Sequence, residues 1–185
     1  MRAVLELAIL GFLSGEPLHG YELRTRIAHL TGHVRPVSDG SLYPAIKRLE
    51  KAGLLSRSQE QGRAAAPRQV LSLTEAGHAE LLRRLREPEP TDITDRNRFF
   101  TLLAFLHLLP DPADQAAVLR RRLAFITTPA SFFRSGESGE HRVRAAEADT
   151  PFRAGMLTMA RDITRAEQRW LRTTLATLDP DTPAE

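Results

Sequence analysis

The sequence contains no cysteine. That excludes a disulfide framework, thiolate metal sites and cysteine nucleophiles, and it fits a reducing compartment. Long hydrophobic runs are missing too. The most apolar stretch, Phe99 to Leu109, has 11 residues including Thr101 and His107, short of the ~20 needed to cross a bilayer. Near the N-terminus Glu6 interrupts the apolar run, so this segment reads as structure and not as a secretion signal. Lysine is scarce, 2 residues against 24 arginines, a mark of GC-rich coding. The chain has no internal repeat, low-complexity tract, Gly-rich phosphate loop, nucleophile elbow or His-Glu-x-x-His pattern. Its one i, i+4 histidine pair, His29 and His33, is split by a helix-ending Gly32 and lacks a third ligand. The expectation is a protein that is not an enzyme, with no metal, no cofactor and no membrane partner.

What is present suits a soluble, cytoplasmic globular chain: 185 residues, 42% hydrophobic and 26% charged, enough for one or two domains of about 100 residues. Charge is uneven. Residues 1–88 hold 13 basic and 9 acidic side chains and residues 89–185 hold 13 and 14, so the halves carry +4 and −1, which sum to +3. The basic half suggests a polyanionic partner.

Apolar spacing predicts helix one over about 3–14, stopped by Gly15-Glu16-Pro17. A second helix opens near His19, carries Leu23, Ile27 and Leu30 on one face and closes at Gly32. In the third, Leu42, Ile46 and Leu49 face inward, while Ser41, Tyr43, Pro44, Lys47, Arg48 and Lys51 face out. Because Pro44 lacks an amide hydrogen it fits best in a first turn, so the spacing favours Ser41 as N-cap. Gly53 ends that helix. Two extended runs, 54–59 and 69–73, flank a loop with Arg63 and Arg68 and read as a β-hairpin with a long tip. Thr74 caps a fourth helix running to about Glu87.

Glu87-Pro88-Glu89-Pro90 reads as a boundary between domains 1–88 and 91–185. The second domain is helical, with segments at 95–109, at 112–128 behind an Asp111-Pro112 start, and at 151–178. Residues 129–149 show weak periodicity. Met156, Met159, Ile163, Ala166, Trp170 and Thr173 or Thr174 form a stripe on the last helix, widened by Phe152, Leu157, Leu171 and Leu178. At ~1.5 Å per residue that helix is about 40 Å long, more than its own domain needs, so a partner helix is expected. The expected dimer interface comprises Phe99, Phe100, Leu103 and Leu106 with Met156, Met159, Ile163, Trp170, Leu171 and Leu178. Phe99, Phe100, Phe105, Met156, Met159 and Trp170 are also candidates for lining a pocket for a small aromatic or drug-like ligand, with Arg153, Arg161 and Arg165 as candidate receivers of an acidic one.

The fold class is therefore mainly α with a small β-hairpin: an N-terminal winged helix-turn-helix followed by an all-α C-terminal dimerisation domain. In that architecture the third helix enters the major groove and the hairpin tip lies along the backbone or in the minor groove. Ser41, Tyr43, Lys47 and Arg48 supply hydroxyl and cationic groups for base edges and phosphates, and Arg63 and Arg68 do so on the wing. Double-stranded DNA is the expected partner. The alternative is a winged-helix module that holds a protein through the same helix.

The motifs also carry a resemblance. Leu18-His19-Gly20-Tyr21-Glu22-Leu23, Asp39-Gly40-Ser41-Leu42-Tyr43-Pro44-Ala45-Ile46-Lys47-Arg48-Leu49-Glu50-Lys51-Ala52-Gly53-Leu54 and Leu73-Thr74-Glu75-Ala76-Gly77 resemble the PadR family of bacterial transcriptional regulators. The likeness spans about residues 3–87. It implies a winged-helix repressor, dimeric through C-terminal helices, with Tyr43, Lys47 and the wing near DNA; Tyr21, Pro44 and Lys51 join the expected contacts. Val70 and Leu71 stand where the family shows a Tyr pair, and the wing tip is poorer in Gly, Arg and Lys. Phe99-Phe100, Leu119 to Leu123 and Trp170-Leu171 are similar to the longer C-terminal region of the virulence-activator branch.

Overall fold

Helix α1 (Arg2–Leu13) is apolar nearly all round because it is packed on several sides. Leu7, Ile9 and Leu10 are buried where helices α2 (Gly20–Thr31), α3 (Asp39–Lys51) and α4 (Glu75–Arg86) meet it. The Ser14 hydroxyl donates to the Gly11 carbonyl at 2.7 Å, closing α1 just before Gly15 and Pro17. This computed structural model describes residues 2–31, 38–60, 68–128, 134–135, 141–142 and 145–178, in two compact units that divide at 110/111.

The start of α3 differs from the sequence expectation. Ser38, not Ser41, is the N-cap: its backbone is extended and its carbonyl accepts from the amides of Ser41 and Leu42, both at 3.0 Å. Asp39 then occupies the first turn, where a carboxylate complements the helix dipole, and pairs with Arg24 of α2 at 3.2 Å. Pro44 lies inside the helix. Its missing amide leaves the Gly40 carbonyl without an i+4 donor, but both residues are exposed, so water can supply the bond. The helix ends as expected: Ala52 is the C-cap and Gly53 takes φ +72°, a left-handed conformation open to glycine.

Strands β1 (Leu18–His19), β2 (Leu55–Glu60) and β3 (Arg68–Leu73) form an antiparallel sheet in the order β1-β3-β2. The hairpin register pairs Leu55 with Leu73 and Gln59 with Gln69, and β1 adds Leu18 opposite Leu71. The two-residue β1 was not legible in the sequence. Thr74 caps α4 through its hydroxyl, which accepts from the Gly77 amide at 2.9 Å and donates to the Gly53 carbonyl at 2.7 Å. Gly77 is buried, and a Cβ there would run into the Leu54 carbonyl oxygen.

The first unit continues past the Pro88-Pro90 segment that the sequence offered as the boundary and extends to Pro110. Pro90 opens the short helix α5 (Pro90–Thr94), and Arg98 of α6 (Arg96–Phe105) clamps Asp92 of α5 at 2.7 Å. Phe105 lies flat against Gly11 of α1, where a Cβ would stand 2.5 Å from the ring, and meets Phe12 edge-on with centroids 5.1 Å apart. A 3-10 turn, Leu106–Leu108, follows α6.

In the second unit Asp111 caps α7 (Pro112–Thr127) by accepting from the Ala113 amide at 2.8 Å, with Pro112 in the first turn as expected. Short strands β4 (Arg134–Ser135) and β5 (His141–Arg142) pair antiparallel, within the segment of weak periodicity. Helix α8 (Pro151–Leu178) has 28 residues and packs on α7. Between them Arg122, 2% exposed, holds Glu167 at 2.6 Å, and the Gln168 amide nitrogen donates to the Ile126 carbonyl at 3.2 Å.

Candidate nucleic-acid interface

The inner face of α3 is made by Leu42, Ala45, Ile46 and Leu49, all buried. At ~100° per residue the opposite face is centred on Gly40, Tyr43, Pro44, Lys47 and Lys51, and all five are exposed. Ser41 and Arg48 lie on the flank. The sequence-predicted face is therefore present, with a division of labour among its cations. Lys47 and Lys51 have no carboxylate in ion-pair range among the described residues. Arg48 does: its Nη2 sits 2.9 Å from Oε1 of Glu6 on α1, and the other oxygen of Glu6 receives Arg84 of α4 at 3.4 Å.

Other arginines of this unit are braces as well. Arg57 of β2 grips Glu50 of α3 through two bonds of 2.7 and 3.0 Å and also donates to Gln69. Arg26 pairs with Glu16. Arg83 and Arg84 converge on Glu80 at 2.8 and 2.6 Å. The hydrogen bond from Arg83 is the leading cause that lowers the Glu80 carboxyl from 4.5 to about 2, with Arg84 adding to it against the opposing effect of burial. Sequence reasoning missed Glu6 as an organiser. Its only signal is a carboxylate on an otherwise apolar helix.

Beside α3, the start of α2 presents a small aromatic group. Tyr21 is 60% exposed and stacks on His19 with centroids 5.8 Å apart. The Glu22 carboxylate accepts from the His19 backbone amide at 2.9 Å and from the Tyr21 hydroxyl at 3.2 Å. The His19 bond is the main cause holding Glu22 below the usual carboxylate range. His19 Nδ1 is 3.1 Å from the Gln69 carbonyl on β3, which ties this corner to the wing. Gly20 brings this corner beside α3: a Cβ there would stand in ordinary contact with the Tyr43 ring, 3.5 Å away. Tyr21 and Tyr43 thus flank the same exposed surface. The wing tip with Arg63, and the side chain of Arg68, lie outside the described residues.

The residues expected at a dimer interface fall into two groups. Phe99 and Leu106 are buried, with Phe99 only 1% exposed, because α6 packs on α1 and α2. Leu103 and Leu178 are half-buried and Phe100 is exposed. On α8, Leu171 is buried with Leu157, whereas Phe152, Met156, Met159, Ile163 and Trp170 are exposed. An open cleft of about 430 Å³ lies between the end of α1 and the start of α4, at Leu13, Glu16, Thr74 and His78, and none of the aromatic or methionine residues put forward for a ligand pocket lines it. Among the described residues, no helix is long and apolar enough to cross a membrane.

Residues 9–83 match the Transcriptional regulator PadR-like family. No curated protein matches the chain by sequence. Among solved structures, a transcriptional regulator of Thermoplasma acidophilum is 26% identical, covering 45% of this chain and 78% of its own, with a TM-score of 0.41. Bacillus subtilis PadR, solved in complex with operator DNA and in complex with p-coumaric acid, is 22% identical over 95% of this chain and 99% of its own, with a TM-score of 0.42. A PadR family transcription regulator of Clostridium difficile is 22% identical over 42% of this chain and 78% of its own, with a TM-score of 0.37. The family match over residues 9–83 spans α3 and both strands of the hairpin, so the winged-helix part of this chain is similar to the PadR-like family of transcriptional regulators.

Proposed function

We propose that the chain is a sequence-specific DNA-binding regulator that acts as a homodimer, represses transcription at a near-palindromic operator and is released by a small molecule. The single observation that carries this reading is the outer face of α3. Tyr43, Lys47 and Lys51 are exposed together on a helix whose opposite face is buried, and among the described residues neither lysine is paired with a carboxylate. Long cations of this kind suit phosphate oxygens, and the neighbouring hydroxyls suit base edges. A rigid mount favours readout: Arg48, Arg57 and Arg24 tie α3 to α1, β2 and α2.

Dimerisation is supported by α8, whose exposed Met156, Met159, Ile163 and Trp170 form an apolar stripe that a second copy can cover by two-fold symmetry. Two recognition helices held about one DNA turn apart, ~34 Å, would meet successive half-sites. The test is a mobility shift with the duplex immediately upstream of the protein's own gene, at two salt concentrations and with competitor duplex. Retention that resists competitor and weakens with salt supports the reading. Absence of any shift across upstream and genomic fragments, with capture of a protein partner through α3, would replace it with the protein-binding alternative.

A further inference from the structure

The scarcity of lysine has a spatial consequence. Lys47 and Lys51 are the chain's only lysines; both lie on the outer face of α3, one turn apart, and both are exposed. Apart from the α-amino group, the primary amines of this protein are thus confined to the surface proposed to meet DNA. The arginines around them are no substitute as nucleophiles, since a guanidinium stays protonated and Arg48 is engaged by Glu6. Amine chemistry on this chain is therefore directed at one face.

We propose that Lys47 and Lys51 form a modification site for an acyl phosphate, and that acylation there releases the protein from DNA. The inference rests on the DNA reading for its consequence, but not for the site itself. Two ammonium groups at i, i+4 spacing, with Cβ atoms about 5–6 Å apart, suit a phosphate: one lysine holds the donor's phosphate while the other attacks. In the step, the amine nitrogen of one lysine, after its proton passes to solvent, adds to the acyl carbonyl carbon. A C–N bond forms, the bond from the acyl carbon to the phosphate oxygen breaks, inorganic phosphate leaves with the electron pair, and the nitrogen's second proton passes to the departing phosphate. The product amide is neutral, so each event removes one positive charge from the face.

The experiment treats the full chain with acetyl phosphate, maps acetyl groups by peptide mass spectrometry and measures affinity for the upstream duplex across a salt series. The expected result is acetylation of Lys47 and Lys51 ahead of the α-amino group, slowed by duplex added beforehand. Affinity should fall, and the slope of log affinity against log salt should drop by about 0.9 per modified lysine. p-Nitrophenyl acetate, an activated ester without a phosphate, should show no such preference for the two lysines. A map confined to the α-amino group, or the same preference with the ester, overturns the site. Acetylated protein that binds duplex as tightly as untreated protein overturns the release. Untreated protein that binds no duplex sinks the DNA reading instead, and the map still decides the site.

Discussion

Arg48 of α3 gives its guanidinium to Glu6 of α1 at 2.9 Å, whereas Lys47, its neighbour in sequence, extends from the exposed face with no carboxylate partner among the described residues. Sequence spacing treats the two as equivalent cations. Their substitution should therefore separate. Lys47→Ala should lower the salt slope of DNA binding by about 0.9 and leave stability nearly unchanged. Arg48→Ala should cost up to ~1 kcal/mol of stability, the scale of a partly exposed pair, with a smaller change in slope. Urea denaturation and mobility shifts across a salt series read both; a larger slope change for Arg48→Ala would place Arg48 on the DNA.

Gly77 gives a stability test of the cap that joins the wing to α4. Its position is buried and a side chain would meet the Leu54 carbonyl oxygen, backbone that cannot swing aside. Gly77→Ala should therefore destabilise by about 1–3 kcal/mol or more. Gly15→Ala is the control, since the nearest atom to its Cβ is 3.9 Å away, and it should be near neutral. Equal unfolding midpoints for the two variants would contradict the close approach.

Glu80 sets an acid-side dependence. Its folded carboxyl titrates at about 2 instead of 4.5, chiefly because Arg83 donates to it. A depressed carboxylate binds its proton more weakly in the folded state, so its stabilisation is present above pH about 4.5 and is lost as pH falls toward about 2. Glu80→Gln should lower the melting temperature at neutral pH and flatten its decline between those limits. Thermal melts at half-unit pH steps would show this, and parallel curves for the two proteins would exclude the ion triad as the cause.

In the second unit Arg122 and Glu167 are both nearly buried, at 2.6 Å. Breaking a short, nearly buried ion pair is costly, so Glu167→Ala should destabilise by up to roughly 3–5 kcal/mol. Replacing both, as Arg122→Met with Glu167→Leu, should recover most of that loss. A double-mutant cycle by denaturant unfolding measures it, and additive losses would mean the pair is not coupled.

The helices and their caps were legible wherever the signal was local. Thr74, Asp111-Pro112 and Gly53 announce their own backbone geometry, and Leu42, Ile46 and Leu49 announce the buried side of α3. The start of α3 was not, because the rule that confines proline to a first turn was outweighed by an N-cap at Ser38 and an acidic first turn at Asp39. Nor was the place of α6, whose attachment depends on Phe105 finding a glycine 94 positions earlier at Gly11, a pairing no window of sequence contains. The candidate DNA face was readable as a set of residue types, but which cations were already committed to carboxylates required the fold: Glu6 and Arg48 lie 42 residues apart.

The exposed stripe on α8 yields the test of assembly. Met159 is 63% exposed and Trp170 43%, so neither is held by the described protomer in the way that Leu157 and Leu171 are. A charge placed at Met159 should cost the isolated fold little, within about 0.5 kcal/mol for an exposed site, yet would be buried without a partner in a helix-to-helix interface. Met159→Glu should therefore convert a dimer to a monomer in sedimentation equilibrium with the helical circular dichroism largely retained. DNA affinity should fall with it, because each half-site is then bound alone and the gain in effective concentration from joining two recognition helices is lost. A dimer of unchanged mass would move the interface off this stripe. A monomer that still bound duplex at full affinity would show that one winged helix suffices.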